Sequence, residues 1–321
     1  MQRILQPGEI ESLDHTSFPR VLLPNTSSLF LDRAQRIRQL ADGNPIADYL
    51  LFIAKLVQAQ HQAAQGLQVA APDAAAIAQA QQFSSPLLPA ADHIDPIWHQ
   101  VLDGMLSQLA SADGLPEALQ PLIAELQRCS TDDRNALAKR LLTKELAARD
   151  VGLAPFVMAA LQVVFATRAS QLRLADIPFT DPATICPVCA SEPVAGVVRI
   201  GGKMAGHRYL HCGCCATEWH MVRIKCSHCE STKGVRYQGL EGGKDVVLAE
   251  TCTECGSYRK LVNQEKDPLA EPLADDLASL MLDLLMSEQT AFGRASGNPL
   301  LFVAVAEPQA ADADGSVPDL H

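Results

Sequence analysis

Hydrophobic and polar positions divide the chain into two textures. From about Ser28 to Arg173, apolar residues recur every three or four positions, the period of helices with one buried face. One helix is predicted after Asn44-Pro45, a capping residue followed by a proline suited to the first turn. Ile46, Tyr49, Leu50, Ile53 and Val57 form its apolar side. A second starts near Ser130-Thr131, where Asp132 and Asp133 suit the positive end of the helix dipole, and carries Leu137, Leu141, Leu142 and Leu146 as its stripe. A third opens at Pro155 and runs to about Leu172. The Gln/Ala-rich stretch 58–82 has helix propensity but little to specify packing, so an exposed helix or loop is expected there. A proline-rich joint, Pro86 to Pro96, follows it, and prolines break residues 1–27 into an irregular arm.

At Ile177-Pro178 the period changes. Residues 181–263 are rich in Gly, Cys and β-branched residues, with short runs at 197–200, 219–224 and 246–248 that read as strands of small sheets. Gly201-Gly202 and Gly242-Gly243 read as hairpin turns. A helix returns after Pro272, where Leu273, Leu277, Leu280, Met281 and Leu284 keep the helical period. From 293 to 321 an Ala/Asp/Pro-rich tail is expected to be flexible.

Composition narrows the function classes. The 321 residues are 48% hydrophobic and 20% charged, the balance of a folded globular protein. A formal charge of −11 argues against a dedicated binder of nucleic acid or of acidic membranes. The most apolar uncharged stretch, Val151 to Thr167, has 17 residues. That falls short of the roughly 20 needed to cross a bilayer, so it reads as a buried helix and no stable membrane insertion is expected. Met1 to Pro24 carries five charged residues and no apolar export signal, so a cytoplasmic location is expected. In that compartment, paired cysteines point to metal more often than to disulfides.

The cysteines carry the chemistry. Nine of ten lie between Cys186 and Cys255, and four CxxC pairs stand out: Cys186/Cys189, Cys212/Cys215, Cys226/Cys229 and Cys252/Cys255. Adding 40 to each position in the first two pairs lands on the second two, so the segment is a duplication of one C-x2-C-x22-C-x2-C unit. Cys214 plus 40 is Glu254, which sets Cys214 outside the repeat, and Cys129 stands alone. Two knuckles per unit supply four thiolates, the donor set of a tetrahedral zinc or of a single iron, and spacing does not separate the two metals. The expected ligands are Cys186, Cys189, Cys212 and Cys215 for one centre and Cys226, Cys229, Cys252 and Cys255 for the other. The expected fold is therefore α+β. An all-helical domain (28–180) is followed by two tandem rubredoxin-like or zinc-ribbon metal modules (181–223 and 224–263), a C-terminal helix (264–292) and the tail.

Other chemistry finds no support in the residues. No Ser/His/Asp set, phosphate-binding glycine loop or carboxylate pair is recognisable, so no catalytic residue is assigned. His207, His211, His220 and His228 fall in the cysteine segment; His211 and His228 are expected to be solvated beside the knuckles, and His220 to pair with Trp219 on a strand. Residues 182–262 hold ten Lys/Arg against seven Asp/Glu, a balance that eight metal-bound thiolates cancel, which weakens a nucleic-acid reading. Arg199, Lys203, Arg208, Arg223 and Lys225 are the candidates for any local basic patch.

Residues between and after the knuckles resemble those of the formate dehydrogenase accessory protein FdhE family. These are Arg208-Tyr-Leu-His-Cys212, Cys215-Ala-Thr-Glu-Trp-His220, Val222-Arg-Ile-Lys-Cys226, Gln264-Glu-Lys-Asp-Pro268 and Ala274-Asp-Asp-Leu-Ala-Ser-Leu280. The resemblance implies a cytoplasmic, non-enzymatic factor that binds the catalytic subunit of a twin-arginine-exported formate dehydrogenase before export. It also implies rubredoxin-like iron at two mononuclear four-cysteine sites, with zinc as the alternative. A structural zinc-ribbon adaptor is the competing function class.

Overall fold

The computed structural model describes residues 18–289 and 291–303. Seven helices fill the first half: α1 (Leu29–Ala41), α2 (Ala47–Ala64), α3 (Ala74–Gln82), α4 (Trp98–Ala110), α5 (Gln120–Arg128), α6 (Thr131–Thr143) and α7 (Ala154–Ser170). The start signal at Ser130 acts as expected, whereas α2 begins two residues later than expected, with Ile46 at its N-cap and Pro45 ahead of the helix. Asn44 Oδ1 accepts from the Ile46 amide just before α2, and Ser130 Oγ caps α6 by accepting from the Asp133 amide. The uncharged stretch becomes α7, buried from Ala154 to Ala169 and packed between α2, α4 and α6. Its sixteen consecutive buried residues explain the absence of any polar face in the sequence. No helix among the described residues is long and apolar enough to cross a membrane.

The Gln/Ala-rich stretch divides. Residues 58–64 continue α2 and bury Ala59, Gln60 and Ala64, whereas α3 buries only Ala80. Of the expected irregular arm, residues 1–17 lie outside the described residues, and Val21–Leu22 form β1, a short strand against the sheet.

The cysteine segment forms one continuous sheet rather than separate small ones. Its strands are β2 (Pro193–Val198), β3 (Arg208–Cys212), β4 (Glu218–His220), β5 (Val235–Gln238), β6 (Val247–Cys252), β7 (Ser257–Asn263) and β8 (Gly293–Arg294). The order is β1-β4-β3-β2-β7-β6-β5, with β8 also on β7. Each repeat is thus a three-stranded antiparallel meander, and the two join through the parallel pair β2 and β7. Gly196 sits at that seam opposite Leu261, where an added Cβ would come within 2.9 Å of Leu261 Cδ1.

Two further differences concern the C-terminus. The expected single helix is two, α8 (Pro272–Ala278) and α9 (Leu280–Glu288), broken at Ser279. At the break the ladder tightens to i+3 bonds, Ser279 N to Asp276 O and Leu282 N to Ser279 O, and the buried Lys260 ammonium on β7 donates to the same two carbonyls. The tail expected to be flexible is packed as far as it is described. Leu300 and Asn298 are buried, and Tyr49 donates to the Leu300 carbonyl at 2.5 Å. Residues 304–321 lie outside the described residues.

Candidate metal centres

Three of the four CxxC knuckles are closed the same way. The amide of the residue after the second cysteine bonds back to the first: Ala190 to Cys186 O, Glu230 to Cys226 O and Gly256 to Cys252 O, at 3.0–3.1 Å. That closing residue is left-handed in all four knuckles, at Ala190, Ala216, Glu230 and Gly256, with φ between 57° and 64°. Three of the four are not glycine, so the turn is held against the steric cost that side chains meet in this conformation.

The turns bring the sequence-predicted cysteines together in two groups of four. Cys186, Cys189, Cys212 and Cys215 form one, and Cys226, Cys229, Cys252 and Cys255 the other; within each group the sulfurs lie within 4.8 Å of one another. Sulfur pairs stand 3.4–3.5 Å apart in the first group and 3.8 Å in the second. A metal–sulfur bond of about 2.3 Å gives a tetrahedral edge of about 3.8 Å, so both donor sets fit a four-thiolate ion. All ten cysteines are free of disulfides. Amides point at the sulfurs as a thiolate requires: Cys214 N and Cys215 N at Cys212 Sγ, and His228 N at Cys226 Sγ, each at 3.4 Å. Burial pushes the Cys226 thiol up to about 12, so a thiolate there needs a cation beside it, which a bound metal supplies.

The two centres differ in burial. All four cysteines of the first are buried and belong to the main hydrophobic core with the helices. The proline-rich joint lies on its first knuckle as a backbone ladder: Leu87 N to Pro187 O, Leu88 N to Val188 O and Ala90 N to Cys189 O, at 2.7–3.0 Å. Its second knuckle is held by Gln162 of α7, which donates to the Gly213 carbonyl at 2.7 Å and accepts from Gln60 of α2. In the second centre Cys229 and Cys255 are exposed. The Ser257 hydroxyl lies 2.9 Å from Cys255 Sγ.

Charged side chains knit the modules. Arg208 on β3 pairs with Glu250 on β6 and donates to the Val222 and Lys225 carbonyls of the connector. Arg199 pairs with Glu218, whose other contact is His211 Nδ1 at 2.7 Å. Burial by itself raises the Glu218 carboxyl, but Arg199 and His211 outweigh it and hold it at about 2. His211 is therefore buried, not solvated as expected, whereas His228 is exposed. The His220 ring packs on Phe18 and Tyr209. Among the described residues no histidine joins either sulfur group. Lys225 and Arg223 pair with Glu230 and Glu265, so four of the five basic-patch candidates are engaged in ion pairs. Cys214 is buried beside the first centre outside its set of four.

Sequence reasoning did not find Arg259, whose only signal was a charge inside a strand. It is 4% exposed beneath the second centre and donates to Ser227 Oγ at 3.1 Å, to Pro193 O and to Ser296 Oγ. Burial pulls its guanidinium down to about 10.

Three family models match the chain: "FdhE, N-terminal" over residues 18–180, "FdhE, central domain" over 185–223 and "FdhE, C-terminal domain" over 224–301. Among curated relatives, a "Protein FdhE homolog" of Edwardsiella ictaluri is 42% identical over 88% of this chain and 91% of its own. A "Protein FdhE" of Salmonella enteritidis is 38% identical over 94% of this chain and 97% of its own. The crystal structure of the FdhE protein from Pseudomonas aeruginosa superposes with a TM-score of 0.78 at 35% identity, covering 88% of this chain and 99% of that one.

Proposed function

The chain belongs to the FdhE family, and from that premise we propose that it is a cytoplasmic accessory factor for a formate dehydrogenase. It binds the catalytic subunit of a twin-arginine-exported respiratory enzyme during maturation and catalyses no reaction of its own. The observation that carries this reading is the pair of tetracysteine centres, one sealed in the core and one facing solvent on the same sheet.

Cys186, Cys189, Cys212 and Cys215 hold one mononuclear metal, and Cys226, Cys229, Cys252 and Cys255 the other. Iron at such a site supplies one-electron chemistry. The knuckle amides favour the thiolate form, and the open edge at Cys229 and Cys255 leaves the second centre within reach of a docked protein.

Deleting the protein tests the reading. Formate oxidation should be abolished while other exported molybdoenzymes keep their activity, and the catalytic subunit should co-purify with the intact chain. Normal formate oxidation in the deletion would sink it. Visible spectra of the purified protein separate iron, red through thiolate-to-iron charge transfer, from colourless zinc. The enclosure of the first centre favours a second reading for that site, a structural staple that ties the sheet to the helices.

A further inference from the structure

Both repeats bury an arginine, but Arg208 of the first pairs with Glu250, whereas Arg259 of the second has no such partner among the described residues. Arg259 donates only to neutral acceptors: a backbone carbonyl and the hydroxyls of Ser227 and Ser296. Among the described residues no carboxylate lies within ion-pair distance of it. The carboxylates in its electrostatic surroundings, Glu192 and Glu250, are matched by Lys144 and Arg208. A guanidinium taken out of water without a counter-charge is costly, so the structure calls for a negative partner nearby. Ser227, which accepts from Arg259, lies inside the knuckle between Cys226 and Cys229. Four thiolates around a divalent ion leave two negative charges there. The 40-residue repeat supplies an internal control: the position matching Arg259 is Trp219, a neutral residue that donates to the Ala183 carbonyl.

We propose that Arg259 is the buried counter-charge of the second tetrathiolate centre and sets how tightly that centre holds its metal. The proposal rests on reading Cys226, Cys229, Cys252 and Cys255 as one metal site. Arg259 acts through the Ser227 knuckle and the local potential rather than by touching the ion.

The test uses the full chain purified with its metals. Metal content and release to excess chelator are followed for the native protein and for Arg259→Met, Arg259→Lys and Cys226→Ser. Two release phases are expected, and the one missing from Cys226→Ser belongs to the second centre. Arg259→Met should speed that phase by about tenfold or more and leave the other within about twofold, with Lys restoring most of the loss. If Met also loses the second metal on purification, retention of two metals by Lys supports the charge role, and loss from both variants overturns it. Equal second-phase rates in native and Met proteins, or a Lys variant no better than Met, would overturn Arg259 while leaving both centres standing. Native metal content unchanged by Cys226→Ser would remove the centre itself and the proposal with it.

Discussion

Arg208 of the first repeat and Glu250 of the second form an ion pair whose side chains are 0% and 5% exposed. The same guanidinium holds the connector through the carbonyls of Met221, Val222 and Lys225. One side chain thus adds a buried tie between the two repeats to the strand pairing of β2 with β7.

Removing one partner should cost more than removing both. Arg208→Met leaves Glu250 buried without its cation and should destabilise the fold by about 3–5 kcal/mol. The double variant Arg208→Met/Glu250→Leu should recover part of that loss. Denaturant melts of the single and double variants measure the difference, and a double variant no better than Arg208→Met would refute the pairing.

The two centres should respond unequally to loss of a ligand. Cys226→Ser is expected to remove one metal per chain and loosen the second repeat alone. Cys186→Ser also removes one metal, but it opens the main core, because Cys186 is 0% exposed among helix side chains. Metal analysis with hydrogen exchange distinguishes them: the helices should lose protection only in Cys186→Ser.

Asp150 gives an acid-sensitive contribution through its pairing with Arg140 of α6. Both its oxygens accept from Arg140 at 2.8 Å and one accepts from the Ala147 amide, which holds its carboxyl below the usual range. A depressed carboxylate stabilises the fold above its unfolded pKa of about 3.9, and that contribution fades as pH falls through the lower folded value. Asp150→Asn should cost about 1–2 kcal/mol at neutral pH and flatten the stability profile below pH of about 4. A native profile already flat there would contradict the pairing.

Left-handed knuckle residues should accept glycine gladly. Ala190, at φ 63° and partly exposed, loses little by giving up its methyl group. Ala190→Gly should therefore raise stability by about 0.5–1 kcal/mol, read as a higher Tm of the metal-loaded protein. A lower Tm would show that the knuckle is not strained at that position.

The sequence by itself determined the local chemistry. The helix start at Ser130, the buried span that became α7, and the grouping of eight cysteines by a 40-residue offset all rest on local patterns that the backbone obeys wherever it is placed. Even the left-handed residues follow the offset, 190 to 230 and 216 to 256. Only the tertiary structure decided what distinguishes the two centres. The first is sealed because residues 87–90 form a backbone ladder with 187–189, and Gln162 reaches Gly213. Partners so far apart in sequence leave no periodic trace. The joining of β2 to β7 and the unpaired charge of Arg259 arise likewise from packing between distant segments. Burial belongs to the whole fold, so identical ligand spacings yield one enclosed centre and one open to solvent.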